Sequence, residues 1–278
     1  MTDPSHRDTA LSIPVAADAG WSGGRAADAD GRPPRPGPGP RKFALFIGVL
    51  LTVAFIGYGS LALVTLLRLG HHNGERQFST ANVRAVDIAT EGLGVSITGG
   101  VNPGAPGVIS YRVLVAWGNP HPSVVLASDG TVRIRLSCST WAPIGCSGHL
   151  SITVPAGIPV SARSSGGGIN ATGLAGDLRL DSSGGGIHAT NLRSSRADVQ
   201  SSGGGIRLGF IAVPSTVHAS SSGGGTTVEL PDRSGPYAVS ARAGGGGSHV
   251  DVRQDPRSAR TITISSGGGG IHVRYPGD

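Results

Sequence analysis

Residues 160–171 read V-S-A-R-S-S-G-G-G-I-N-A. The pattern returns as L-R-L-D-S-S-G-G-G-I-H-A at 178–189, A-D-V-Q-S-S-G-G-G-I-R-L at 197–208 and V-H-A-S-S-S-G-G-G-T-T-V at 217–228. Two looser copies follow at 239–250 and 262–273, each with four glycines. Aligned on the last three glycines of each run, the first of these are 166, 184, 203, 223, 245 and 268, spaced by 18, 19, 20, 22 and 23. Six positions upstream stand Val160, Leu178, Ala197, Val217, Val239 and Ile262; four upstream stand Ala162, Leu180, Val199, Ala219, Ala241 and Ile264. All are apolar, while the positions five and three upstream are all polar. Downstream come Ile169, Ile187, Ile206, Thr226, Ser248 and Ile271. Two further on come Ala171, Ala189, Leu208, Val228, Val250 and Val273. A period of two on both sides of a glycine bend is strand–turn–strand.

A unit repeated every ~20 residues is the signature of a stacked array, in which neighbouring rungs share a core that none could form alone. The fold class expected is therefore all-β, a repetitive stack of β-strands that is β-solenoid-like. A solenoid and a stack of hairpins both fit, and so does either hand. Glycine suits the bend because it tolerates positive φ and allows backbones to approach closely. The short Ser side chains can hydrogen-bond locally. Stacking would align Arg163 with Asp181 and Arg179 with Asp198 as cross-strand charge pairs.

Working outward, the composition agrees. Of 278 residues 47 are Gly, with 14% charged and 4% aromatic. Charge and large side chains are scarcer than in an ordinary enzyme domain. The glycines come in runs, which excludes a collagen repeat. Hydrophobic residues at 38% are too many for a wholly disordered chain. The net charge of +6 is spread without a Lys/Arg cluster, so no nucleic-acid partner is expected.

Residues 79–157 read as a more irregular β region capping the repeats at 158–278. Val83–Thr90, Leu93–Thr98, Ser110–Trp117, Thr131–Ser137 and Leu150–Val154 carry alternating or β-rich runs, separated by turn signals such as Asp129-Gly130. The two cysteines, Cys138 and Cys146, flank a short loop. They form either a disulfide, if this part of the chain is exported, or two free thiols.

Residues Phe43 to Leu67 hold no charged side chain. As a helix this stretch is ~38 Å long at ~1.5 Å per residue, enough for a bilayer core of ~30 Å. It is too long for a signal-peptide core. A transmembrane helix is therefore expected at 43–69, followed by a linker at 70–78. Arg25, Arg32, Arg35, Arg41 and Lys42 precede the span, against Arg68, Arg76 and Arg84 after it. That places the N-terminus in the cytoplasm and the β domain outside a bacterial cell membrane. Residues 1–42 read as a disordered, Pro-rich tail, in which Pro33 and Pro36 form a PxxP pair.

Short strands ending in Ser-Ser-Gly-Gly-Gly-Ile behind a single N-terminal anchor resemble the bacterial putative-adhesin β-strand-repeat family of the toastrack type. The resemblance covers roughly 80–276. It implies an all-β stacked domain on the outside of the cell and, because that family's function is unknown, no catalytic residue. In the fourth and fifth repeats Thr226 and Ser248 depart from the Ile of the pattern, which suggests looser packing there.

Chemistry is sparse. No Gly-Lys-Ser or Gly-Lys-Thr follows a glycine run, so no phosphate loop is expected. The column after the glycines is Asn170, His188, Arg207, Thr227, His249 and His272, which does not supply the Asp of a calcium-binding repeat. Residues of this column point outward and, in stacked rungs, bring His249 and His272 side by side. They are either a solvated pair or the start of a metal site that lacks a third ligand. No cofactor is expected. A carbohydrate-active enzyme would need two free carboxylates, whereas Asp181 and Asp198 fall in different columns, each beside an Arg. The reading is a membrane-anchored, non-enzymatic scaffold or adhesin-like module of the envelope. Its partners are lipid through the anchor and an envelope protein or wall polymer. The alternatives are a carbohydrate-active enzyme and a partner in envelope-stress sensing.

Overall fold

A computed structural model describes residues 40–67, 70–80, 82–101, 106–115, 122–137, 147–232 and 235–277. Residues Pro40–Leu67 form one α-helix, α1. Its side chains are described over residues 45–60, where Leu45, Phe46, Val49, Leu50, Leu51, Val53, Phe55, Ile56 and Tyr58 are all exposed. The apolar residues lie on every face, as in a helix made for an apolar surround. Among the described residues no helix is long and apolar enough to cross a membrane.

The rest is β structure. In chain order the strands are β1 (Gly70–Phe78), β2 (Ala85–Thr90), β3 (Gly94–Val101), β4 (Gly107–Val115), β5 (Ser123–Leu126), β6 (Thr131–Leu136) and β7 (Ser147–Pro155). The glycine repeats then supply β8 (Val160–Ser164), β9 (Ile169–Thr172), β10 (Leu178–Ser182), β11 (Ile187–Leu192), β12 (Arg196–Ser201) and β13 (Ile206–Phe210). They continue as β14 (Thr216–Ser221), β15 (Thr226–Glu229), β16 (Ala238–Ala243), β17 (Ser248–Val250), β18 (Thr261–Ser266) and β19 (Ile271–Arg274). They build two long sheets. Sheet A runs β1-β4-β7-β3-β9-β11-β13-β15-β19-β17, and sheet B runs β16-β18-β14-β12-β10-β8-β2-β6-β5. Each glycine bend carries the chain from sheet B to sheet A, and successive rungs pair in parallel and in register. Solenoid-like stacking therefore holds, and separate hairpins do not.

The alternation in the sequence is the alternation of burial. In β10 Leu178 and Leu180 are buried while Arg179 is exposed, and β18 buries Ile262 and Ile264. The inner residues form one continuous core of small and medium side chains. At the corner the Ser two positions before the aligned glycines is buried: Ser164, Ser182, Ser201, Ser221 and Ser266. Each accepts from the N–H of the glycine three residues on, as Ser201 does from Gly204 at 3.1 Å. The hydroxyl of Ser201 in turn lies 3.0 Å from the carbonyl of Gly185 in the preceding rung and 2.8 Å from that of Gly204 in its own. These contacts join the rungs into a ladder that satisfies polar groups the corner would otherwise leave buried.

The glycines act through close approach, not through positive φ. The positive-φ glycines among the described residues, such as Gly130 and Gly173, all lie outside the runs. A Cβ on Gly185 would instead sit 2.5 Å from the backbone nitrogen of Gly168, and one on Gly204 at the same distance from that of Gly186. Stacked corners leave no room for a side chain.

Two features differ from the sequence expectation. First, rungs do not stack in chain order. β2 and β3 lie between β6/β7 and β8/β9, so the region 79–157 contributes two full rungs as well as antiparallel strands. Likewise the sixth repeat, β18/β19, inserts between the fourth, β14/β15, and the fifth, β16/β17. Second, residues 70–78, expected as a linker, are the strand β1, antiparallel to β4. Its polar sequence has no apolar alternation that would announce a strand. β4 continues sheet A from β7 in the antiparallel sense, and β5 closes sheet B on β6 in the same way. At the turn before β6, Asp129 accepts from the Thr131 N–H at 2.8 Å, and this bond holds its carboxyl below the ordinary 3.8.

Candidate functional site

Because the rungs are in register, outward residues form columns along each sheet. On sheet A one column runs Ser110, Ser151, Ser96, Asn170, His188, Arg207, Thr227, His272, His249. Two residues along, Thr153, Thr98, Thr172 and Thr190 form a second column on β7, β3, β9 and β11. Over β7, β3 and β9 the two columns make a lattice of hydroxyl and amide groups, with ~4.8 Å between strands. Thr172 and Thr190 are 3.4 Å apart through their hydroxyls, and His149 Nε2 lies 2.7 Å from Ser96 Oγ. At its antiparallel end the lattice meets a shallow groove of about 500 Å³, where Asn73, Glu75, Arg112 and His149 join Ser110 and Ser151. These polar groups lie on β1, β4 and β7. The strand pairing that places β1 there could not be read from its sequence.

Most of the ion pairs among the described residues lie on or beside sheet B. A groove of about 530 Å³ is lined by Asp87, Asp177, Asp198, Arg179 and Arg196 among others. Each of these carboxylates has an Arg close by: Arg163 lies 3.7 Å from Asp87, Arg179 lies 3.7 Å from Asp198, and Arg196 lies 4.0 Å from Asp177. Of the two expected charge pairs, Arg179 with Asp198 forms as read. Arg163 is in register with Asp181 but makes its ion pair with Asp87 on the other side. Sequence spacing could not show this, because β2 becomes a neighbour of β8 only in the folded chain. The same reordering creates Glu229–Arg274, at 2.6 Å, between the fourth and sixth repeats.

His249 and His272 are neighbours on β17 and β19, as the column predicts. Their rings stack with centroids 5.3 Å apart and 9° between planes. Among the described residues no group of three or more His, Cys, Asp or Glu side chains is placed to hold a metal ion. Cys138 and Cys146 lie outside the described residues.

The two departures from the repeat behave differently. Thr226 is as buried as the Ile it replaces, and its hydroxyl has no hydrogen-bond partner. Ser248 is exposed, because its rung is the last in the stack.

No known family matches the chain, and no curated protein matches it. Among solved structures, a "putative cell adhesion protein" from Clostridium sporogenes is similar at 14% identity, over 74% of this chain and 100% of its own, with a TM-score of 0.43. A "putative adhesin" from Bacteroides fragilis is similar at 16% identity, over 73% and 97%, with a TM-score of 0.39. Likeness at this level speaks to neither ligand nor partner.

Proposed function

We propose that this chain is a single-pass envelope protein whose stacked β domain is a non-enzymatic, adhesin-like binding module for wall polymer. The observation that carries the reading is the hydroxyl lattice on sheet A, led by Ser96, Thr98, Asn170 and Thr172 in register. A rigid two-dimensional array of short polar groups suits a repeating polyhydroxylated chain, which offers hydrogen-bond donors and acceptors at regular intervals. The rigidity comes from parallel pairing on both sides of each central strand, so little order has to be created on binding. The carboxylates in the sheet B groove each have an Arg within 4.0 Å, which removes the free acid–base pair that glycoside hydrolysis needs. The uncharged stretch Phe43–Leu67 and the basic residues before it support an anchor with the N-terminus inside.

The test is co-sedimentation of the full-length protein, in detergent micelles, with isolated cell-wall sacculi. Binding is expected, with at least a tenfold loss in Thr98→Glu and Thr172→Glu and no change in Ser220→Glu on sheet B. Absence of sedimentation, or equal binding by all variants, would reject the sheet A face.

A further inference from the structure

Past the hydroxyl lattice the outward column of sheet A changes character. From β11 onward it reads His188, Arg207, Thr227, His272 and His249. Each of these side chains can donate a hydrogen bond through N–H or O–H, and none is a carboxylate. The three imidazoles and the guanidinium are exposed. Among the described residues no carboxylate is paired with Arg207, whereas Arg163, Arg179, Arg196 and Arg274 each have one.

A shallow trough of about 440 Å³ crosses β11, β13, β15 and β19 and is lined by His188, Arg207, Thr227 and His272. Two residues before each of these stands the last glycine of its run, so the trough has a floor without side chains. Rung packing keeps the floor bare. A Cβ on Gly186, Gly205 or Gly225 would lie 2.7–2.8 Å from the carbonyl oxygen of the next rung's glycine. No Asp or Glu lines the trough. Beside His188 stand Asn170 in register and Thr190 two residues along, both neutral. The acidic groups next to the column are Glu229, two residues beyond Thr227, and Asp251, two beyond His249. Glu229 is held by Arg274 at 2.6 Å.

We infer that this column is a track for a linear polymer of phosphodiesters. The inference rests on the wall-polymer reading and deepens it: the polyol chain that meets the hydroxyl lattice carries phosphate where it passes β11 to β19. Phosphodiester oxygens accept hydrogen bonds and bear negative charge, the complement of a row of donors without carboxylates. Arginine suits phosphate best, because its planar fork donates two bonds at once. The column runs along the stack for about 14 Å from His188 to His272, at ~4.8 Å per rung. A chain therefore touches several rungs, where a lone phosphate ion meets one or two. Acid strengthens the track, since imidazole gains its charge between about pH 5 and 8. His249 and His272, stacked with centroids 5.3 Å apart, then repel one another, and an anion beside them relieves the repulsion.

Soluble poly(glycerol phosphate) is titrated by calorimetry into full-length protein in detergent micelles at low ionic strength. Binding is expected, and Arg207→Gln should weaken it roughly tenfold, the share of one hydrogen bond to a charged group. Arg135→Gln removes the same charge from an exposed position on sheet B and should bind as the parent does. Affinity should rise severalfold from about pH 7.5 to about pH 5.5. The rise should be absent when His188→Asn, His249→Asn and His272→Asn are combined. All four substituted column residues are exposed, so circular dichroism of the variants should match the parent. No binding, equal binding by Arg207→Gln, an equal loss in Arg135→Gln, or no rise in acid would each overturn the inference. Sacculi stripped of phosphodiester-linked chains with hydrofluoric acid separate it from the reading beneath it. If stripped sacculi still sediment the protein and Thr98→Glu still releases it, the wall reading stands even where the phosphate probe fails. If the probe binds and neither stripped nor intact sacculi do, the wall reading fails alone.

Discussion

At the scale of single residues the stack is governed by what fits at two places, the core and the corner. Thr226 carries a buried hydroxyl without a partner in a column of Ile side chains. Such a group costs its desolvation with no return. Thr226→Val keeps the shape and removes the hydroxyl, so it should stabilise the domain by about 1 kcal/mol. Thermal unfolding should rise by about 2–4 °C. The corner gives the opposite case. In Gly185→Ala the new methyl would meet the backbone of Gly168 at 2.5–2.6 Å on a neighbouring rung that is itself fixed in the ladder. That change should cost more than about 3 kcal/mol and lower the yield of folded protein. Gly157→Ala, where nothing lies within 4 Å, should fall within about 0.5 kcal/mol of the parent by the same chemical denaturation.

At the scale of elements the informative fact is which strands are neighbours. The fourth repeat touches the sixth, not the fifth, so Glu229 and Arg274 face one another across β15 and β19. Their side chains are 30% and 40% exposed, which leaves the pair partly screened. A double-mutant cycle with Glu229→Gln and Arg274→Gln should give a coupling of about 0.5–1 kcal/mol. A coupling of zero would show that solvent screens the pair completely. The same rung order explains why β16 and β17 look irregular. They are the last strands of their sheets, Ala243 stands where other rungs have a ladder Ser, and their inner faces meet no further rung.

At the scale of the whole molecule the stack is a scaffold that multiplies one feature. Any residue type placed at one repeat position becomes a column, and a column of hydroxyls becomes a face. This is why the binding surface proposed here lies on the regular sheet and not on a loop. Under the proposed topology the β domain lies outside the cell. Protease added to intact cells should degrade the β domain and spare a fragment containing the N-terminal tail. Protection of the β domain under those conditions would reverse the proposed topology.

Much of the fold was legible in the chain. The register of β8 through β15, the burial of the apolar positions within those strands and the meeting of His249 with His272 all follow from alternation and a repeat close to 20 residues. These are local or nearest-neighbour properties, and one repeated sentence states them. The order of the rungs is different. Any rung can stack on any other when their cores and glycine corners match, so the sequence of the repeats is silent on whether the fifth or the sixth adjoins the fourth. Only the tertiary structure decides that, and with it the partners of Arg163, Glu229 and Arg274. It also decides the strand role of Gly70–Phe78, whose pattern is polar and whose backbone is recruited by β4. The glycine runs were legible as corners from the start. Of the two reasons for glycine there, positive φ or close approach, the stacking of one rung on the next selects the second.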